Sequence, residues 1–241
     1  MIGALLRRGL VAGALIGVLG GLAGLLVGEP NIDAAVAIEE AAAASEPPAS
    51  PGPEVTRPAQ KVGLVFGTML VGMAVGSVFA LAAAWAVGRV RGDGWTRALK
   101  LGAAAAAALV LLPVLKYPPT PPTVGDPATV GTRTTLYLGI VLLGLVLAAL
   151  GWAGARQLAA SRPSLPAPVR QAIVGVALLV LAGLIVAGLP AAEGAAIGFP
   201  PELLWRFRLG SVATQLILVF GTAVAFGLLT VRAERRDRLP V

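Results

Sequence analysis

The chain has 241 residues, of which 57% are hydrophobic and 13% charged, well below the roughly 25% charged residues of soluble domains. Its net charge is +7, but it contains no His and no Cys, which excludes disulfides, thiolate metal sites, redox cysteines and the usual general base. The basic residues sit at the ends of apolar runs, as in a membrane protein, and form no patch for nucleic acid.

Six charge-free runs follow one another: Gly9–Gly28, Val62–Gly88, Leu101–Leu115, Thr134–Ala155, Gln171–Ala192 and Leu209–Val231. All but the third reach the length of about 20 residues that a membrane-spanning helix needs. The third is lengthened to about residue 98 if Arg97 and Lys100 carry their charges back to the interface. The predicted fold is therefore all-α, a single membrane domain of six spans at about 9–28, 62–88, 98–115, 134–155, 171–192 and 209–231.

Arg7-Arg8 ahead of the first run has the look of a signal peptide. The run is too long for one, however, and no small-x-small cleavage site cleanly precedes Glu29, so it reads as a retained span. That span carries Gly13, Gly17 and Gly21 on one line and Gly20, Gly24 and Gly28 on another. The second span carries Gly63/Gly67 and Gly72/Gly76. Small residues four apart let helix backbones approach in lipid, either within this chain or against a separate single-span partner.

The first loop, Glu29–Lys61, has two parts. Asn31–Ala44 is Ala-rich with helical content, while residues 45–58 are rich in Pro, Ser and Ala and read as a flexible linker. Glu29, Asp33 and Glu40 share one face of a helix if it continues through Pro30, which a first-turn position allows. With Glu39, Glu46, Glu54, Asp126, Glu193 and Glu202 they form an acidic set on one side of the membrane. Carboxylates are acceptable ligands for divalent cations, and a solvated acidic face is the plainer alternative. In the second span Met69, Met73 and Ser77 line up, with Thr68 alongside. Ser211, Gln215 and Thr222 share a face of the sixth. Both stripes read first as packing, and otherwise as a path of thioether, hydroxyl and amide groups with freed backbone carbonyls.

The connector LKYPPTPPTVGDPATVGTRT, residues 115–134, is the most specific stretch. Pro118, Pro119, Pro121 and Pro122 favour a stiff polyproline path. Gly125 allows a turn, and Asp126-Pro127 reads as an N-cap followed by proline at the first helical position. Lys116 and Arg133 bracket the stretch. Before the last span, Trp205 with Arg206 and Arg208 reads as an interfacial anchor. The sharper expectation pairs Arg206 or Arg208 with Asp126 or Glu193, locking two loops together.

Orientation follows from the basic residues. Arg7, Arg8, Arg89, Arg91, Arg97, Lys100, Arg156, Arg162, Arg170, Arg232, Arg235, Arg236 and Arg238 fall on one side. Arg57, Lys61, Lys116, Arg133, Arg206 and Arg208 fall on the other. This thirteen-to-six division places both termini in the cytoplasm. Two sets of three spans with opposite topology would permit an inverted repeat, but no internal sequence match supports one. No ionisable residue lies inside a run, which argues against a proton-coupled antiporter with a midplane acid. No nucleotide-binding, triad or hydrolase motif is present, so the chain reads as a non-enzyme without a tightly bound cofactor.

The stretch LKYPPTPPTVGDPATVGTRTTLY resembles the signature of CbtA, a family of predicted cobalt transporter subunits. GEPNIDAAVAIEEA at 28–41 and FPPELLWRFRLGS at 199–211 are similar to that family's segments after its first span and before its last. The resemblance implies a multi-pass protein of the bacterial inner membrane that imports Co²⁺ for cobalamin synthesis. It also implies a small, single-span, His-containing partner similar to CbtB. On this reading Glu29, Asp33 and Glu193 are the residues facing the metal, Glu39, Glu40 and Glu202 are further cation-binding candidates, and Lys116, Tyr117, Pro118, Pro122, Gly125, Asp126, Pro127, Arg133, Trp205, Arg206 and Arg208 shape the outer loops. A non-transporting scaffold or assembly factor that holds the small partner is the alternative.

Overall fold

The computed structural model describes residues 2–43, 55–121, 127–191 and 199–236, and among them every regular element is helical. In chain order these are α1 (Ile2–Ala23), α2 (Glu29–Ala43), α3 (Arg57–Ala86), α4 (Gly94–Ala106), α5 (Leu112–Lys116), α6 (Val130–Ser161), α7 (Ala167–Gly188), α8 (Pro201–Leu216) and α9 (Thr222–Arg236). α1 joins α2, α4 joins α5 and α8 joins α9 through π-helical turns at Gly24–Gly28, Ala107–Leu111 and Ile217–Gly221. Six of the resulting helices are long and apolar enough to cross a membrane.

Two of the three π turns have a covalent cause. Pro30 and Pro113 have no backbone N–H, so the carbonyls four residues before them, Leu26 and Leu109, lose their α-helical donors. Both carbonyls fall inside π turns, where the ladder shifts by one residue and the helix continues. In the third turn no proline is present. There the Thr222 hydroxyl, fully buried, donates to the Leu218 carbonyl. Asn31 does the same at the first turn, its side-chain amide donating to the Val27 carbonyl at 2.6 Å.

Several boundaries move from their sequence expectation. The first helix does not stop at Gly28 but runs on through α2, and the last begins at Pro201 rather than Leu209. The third starts at Gly94, where Asp93 accepts the Thr96 backbone N–H at 2.7 Å as an N-cap. Arg97 and Lys100 send their charged ends back to the carbonyls of Gly92 and Arg91, as the snorkelling argument requires. α3 begins at Arg57, with Pro58 in its first turn, so the linker expected over 45–58 ends earlier; residues 44–54 lie outside the described part. Between α3 and α4, Gly88 and Gly92 take positive φ of 76° and 126°, which lets the chain reverse in a short loop.

The chain divides into two compact units. The first takes in residues 1–106, 119–124 and 198–241. Its centre is the α1/α3 pair, where Gly9, Gly13 and Gly17 lie against the backbone at Gly76, Gly72 and Thr68–Met69. A Cβ on Gly13 or Gly72 would overlap the other's carbonyl oxygen, so this contact requires glycine on both helices. Gly21 continues the line against Thr68 and Val65. The core beside it is built of Ala12, Phe79, Ala80, Ala83, Ala98, Ala223 and Phe226. Phe79 and Phe226 meet edge to face at 5.4 Å.

The second unit takes in residues 107–118 and 125–197. Leu112, Tyr117, Ile140 and Leu147 form its core, with Leu178, Ala182 and Ile185 of α7 packed against them. Gly144 of α6 lies against the backbone of Ala108 in the π turn. α7 contains no buried residue, and Leu179 and Leu184 are among its exposed apolar side chains. Such apolar surface suits helices solvated by lipid.

Candidate functional site

The acidic residues after the first span and the basic residues before the second meet as a set of four. Glu29 and Asp33 are one turn apart on α2, and Arg57 and Lys61 are one turn apart on α3. The Arg57 guanidinium donates to a Glu29 carboxylate oxygen at 2.7 Å and also to Asp33. Lys61 donates to the other Asp33 oxygen at 2.9 Å and stands 3.8 Å from Glu29. Gln60 accepts a further bond from Arg57 at 2.6 Å. The four formal charges cancel.

Exposure separates the two carboxylates. The Glu29 side chain is 8% exposed and that of Asp33 is 47% exposed. A buried carboxylate without a partner is costly, so the Arg57 bond makes the placement of Glu29 tenable. Glu29 comes immediately after the π turn, on the side of α2 where Arg57 and Lys61 of α3 reach it. Of the other expected cation ligands, Glu40 is exposed on α2, and the side chain of Glu39 lies outside the described part. Glu202 accepts a bond from Arg206 at 2.6 Å on the exposed face of α8. Glu193, Glu46 and Glu54 lie outside the described residues. Among the described residues no three His, Cys, Asp or Glu side chains gather into a metal site.

The connector residues do two separate jobs. Tyr117 is buried, and its hydroxyl donates to the Pro190 carbonyl at 3.1 Å, tying the end of α5 to the chain beyond α7. Its own backbone N–H bonds back to Pro113 and closes α5. Arg208 of α8 donates through Nε to the Pro119 carbonyl at 3.3 Å. Arg206 bonds to Glu202, while Pro122, Gly125, Asp126 and Glu193 lie outside the described residues, so the expected pairing with Asp126 or Glu193 has no described partner. Lys116 ends α5, and Pro118 is half-buried in the connector after it. Pro127 opens a 3₁₀ turn at Pro127–Thr129, and Arg133 falls in the first turn of α6. Trp205 is exposed.

Within the two polar stripes, three hydroxyls are bonded to carbonyls of their own helices. Thr68 donates to the carbonyls of Leu64 and Val65, Ser77 to that of Met73, and Thr222 to that of Leu218. The backbone of Met69 and Met73 forms the surface that Gly17 and Gly13 pack on. These residues serve helix packing in this state. Sequence reasoning missed Arg57 and Lys61 as partners of the acidic face. The signal was present, since two basic residues four apart open α3 just as two acidic residues four apart open α2. It also missed Thr230, whose buried hydroxyl has no partner among the described residues.

A family model described as a probable cobalt transporter subunit (CbtA) matches residues 2–231 of the chain. No curated protein and no solved structure matches it.

Proposed function

We propose, for a chain that belongs to the CbtA family of probable cobalt transporter subunits, that it carries Co²⁺ inward as a multi-pass component of the bacterial inner membrane. Six membrane-length helices and the family fit such a role. In this reading both termini are cytoplasmic, and carboxylates on the outer side of the membrane, with Glu29, Asp33 and Glu193 as candidates, receive the ion. A small single-span, His-containing partner supplies the nitrogen ligands that this chain lacks, and the cobalt imported serves cobalamin synthesis.

The observation that carries the reading is Glu29, a buried carboxylate at the end of the first apolar run, with Asp33 one turn away and cationic groups seated on both. In this structure Arg57 and Lys61 neutralise the pair and occupy the positions beside the two carboxylates that an incoming cation would take. Two carboxylates are too few to discriminate Co²⁺ from other divalent ions, which assigns selectivity to the partner. Uptake of radioactive cobalt into cells with and without this chain, and with Glu29→Gln, tests the reading. The parent raises uptake and the variant lowers it at equal expression.

A second reading, a scaffold that holds the small partner without passing the ion, is favoured by one observation. The hydroxyls of Thr68, Ser77 and Thr222 are committed to their own helices. Uptake by the partner expressed alone would select this reading.

A further inference from the structure

α2 is joined to the rest of its unit in an unusual way. The helix ladder changes register immediately before it, at the π turn Gly24–Gly28, and Pro30 removes one of its donors. Its apolar grip is slight: of its described side chains only Ala35, Glu29 and Asn31 are buried, and Ile38 is 41% exposed. The backbones of α2 and α3 make few close approaches, and α2 also borders α8. What spans the gap to α3 is charge: Arg57 and Lys61 reach across to Glu29 and Asp33. Asn31 bonds back to Val27 across the joint itself and steadies it.

From this arrangement we propose that α2 is a hinged arm, latched onto the start of α3 by the four-charge cluster and pivoting at the π turn when the cluster parts. The two pairs made by Asp33 join partly exposed side chains, and such pairs are weak and screened by salt, which suits a contact made to open. Burial of Glu29 gives the latch its register, because that carboxylate has a low-cost position only under Arg57. The glycine-packed α1/α3 pair has no charge in its contact and stays rigid while the arm moves. The latch does not depend on which ion, if any, the protein carries.

The chain has no cysteine, so spin labels can be placed without background. One pair, Ala37→Cys with Val78→Cys, measures the arm against α3. A second pair, Leu10→Cys with Val62→Cys, measures the α1/α3 frame. All four positions are exposed. Pulsed dipolar distances would be taken on the full chain in lipid nanodiscs. The parent gives one narrow distribution for each pair. Arg57→Gln with Lys61→Gln broadens and shifts the arm distance while leaving the frame distance unchanged, and Arg57→Lys, which keeps the charge, leaves both narrow. An arm distance unchanged in the Gln variant would overturn the proposal. So would broadening of both pairs together, because the charges would then support the whole bundle.

Discussion

Arg57 and Glu29 are 28 residues apart in the chain and 2.7 Å apart in space, and the carboxylate is nearly buried beneath the guanidinium. Removing the cation and removing the anion therefore have unequal consequences. Arg57→Gln leaves a buried charge with only Lys61 at 3.8 Å, whereas Glu29→Gln removes the charge itself. Arg57→Gln should lower the unfolding temperature in detergent more than Glu29→Gln does, and Asp33→Asn should change it least. If Glu29 receives the transported ion, Glu29→Gln lowers Co²⁺ uptake by about tenfold or more while the fold persists. Equal thermal stability of the Arg57 and Glu29 variants would show that Glu29 does not need its partner.

The α1/α3 contact predicts a sharp contrast between glycines. Gly13→Ala and Gly72→Ala each push a methyl into the facing carbonyl and should cost about 1–3 kcal/mol or more. Gly63 and Gly67 have nothing within 4 Å of an added Cβ, so alanine there should leave stability equal or slightly higher. Denaturant unfolding in mixed micelles checks both. A fall in uptake at Gly63→Leu or Gly67→Leu without loss of stability would identify that face as the one a partner helix uses.

Asp93 gives a pH test away from the membrane interior. Its carboxyl is held below the ordinary carboxylate range by the hydroxyl and backbone N–H of Thr96, with Arg97 adding a smaller effect. A depressed folded-state value means that the cap contributes fully above the unfolded value of about 3.9. Its contribution is lost as pH falls through the lower folded value. Protection of the Thr96 amide, taken relative to its intrinsic exchange rate at each pH, should hold down to about pH 4 and decline below it. Asp93→Asn should keep the protection and remove its pH dependence, and Asp93→Ala should lose it throughout.

The thirteen-to-six division of basic residues predicts sidedness. In intact cells, Thr120→Cys should react with an impermeant thiol reagent from outside, and Ser161→Cys should react only after the membrane is opened. Labelling of residue 161 in intact cells would reverse the orientation.

The helical class and the six spans were legible because each run is uncharged and bounded by charge, and lipid permits few other folds. The first two π turns were also legible in principle, since Pro30 and Pro113 each remove one donor at a fixed position. The third was not, because no proline marks it. Tyr117 looked structural from its place in the connector, but its partner Pro190 is 73 residues away and nothing local announces it. The acidic face of α2 was visible as a pattern. The matching pair Arg57 and Lys61 at the start of the next span was visible too, but that the two pairs face each other was not, since spacing on each helix does not fix how the helices are rotated against one another.

Calorimetry on the purified chain bears on the missing nitrogen ligands. With no His or Cys, Co²⁺ binding should be weak and reduced by excess Mg²⁺. Tight binding unaffected by Mg²⁺ would show that the chain needs no partner for selectivity. Asp126 and Glu193 divide the expected roles. Asp126→Asn should keep both fold and uptake as a cap does, and Glu193→Gln should keep the fold and reduce uptake.

The most direct test is reconstitution. Liposomes containing this chain with the small single-span partner proposed for it, and liposomes with each alone, are given radioactive Co²⁺ outside, and the ion trapped inside is counted. Accumulation should require this chain and fall with Glu29→Gln at equal incorporation. Equal accumulation by the partner alone would contradict a transport role and make this chain a scaffold.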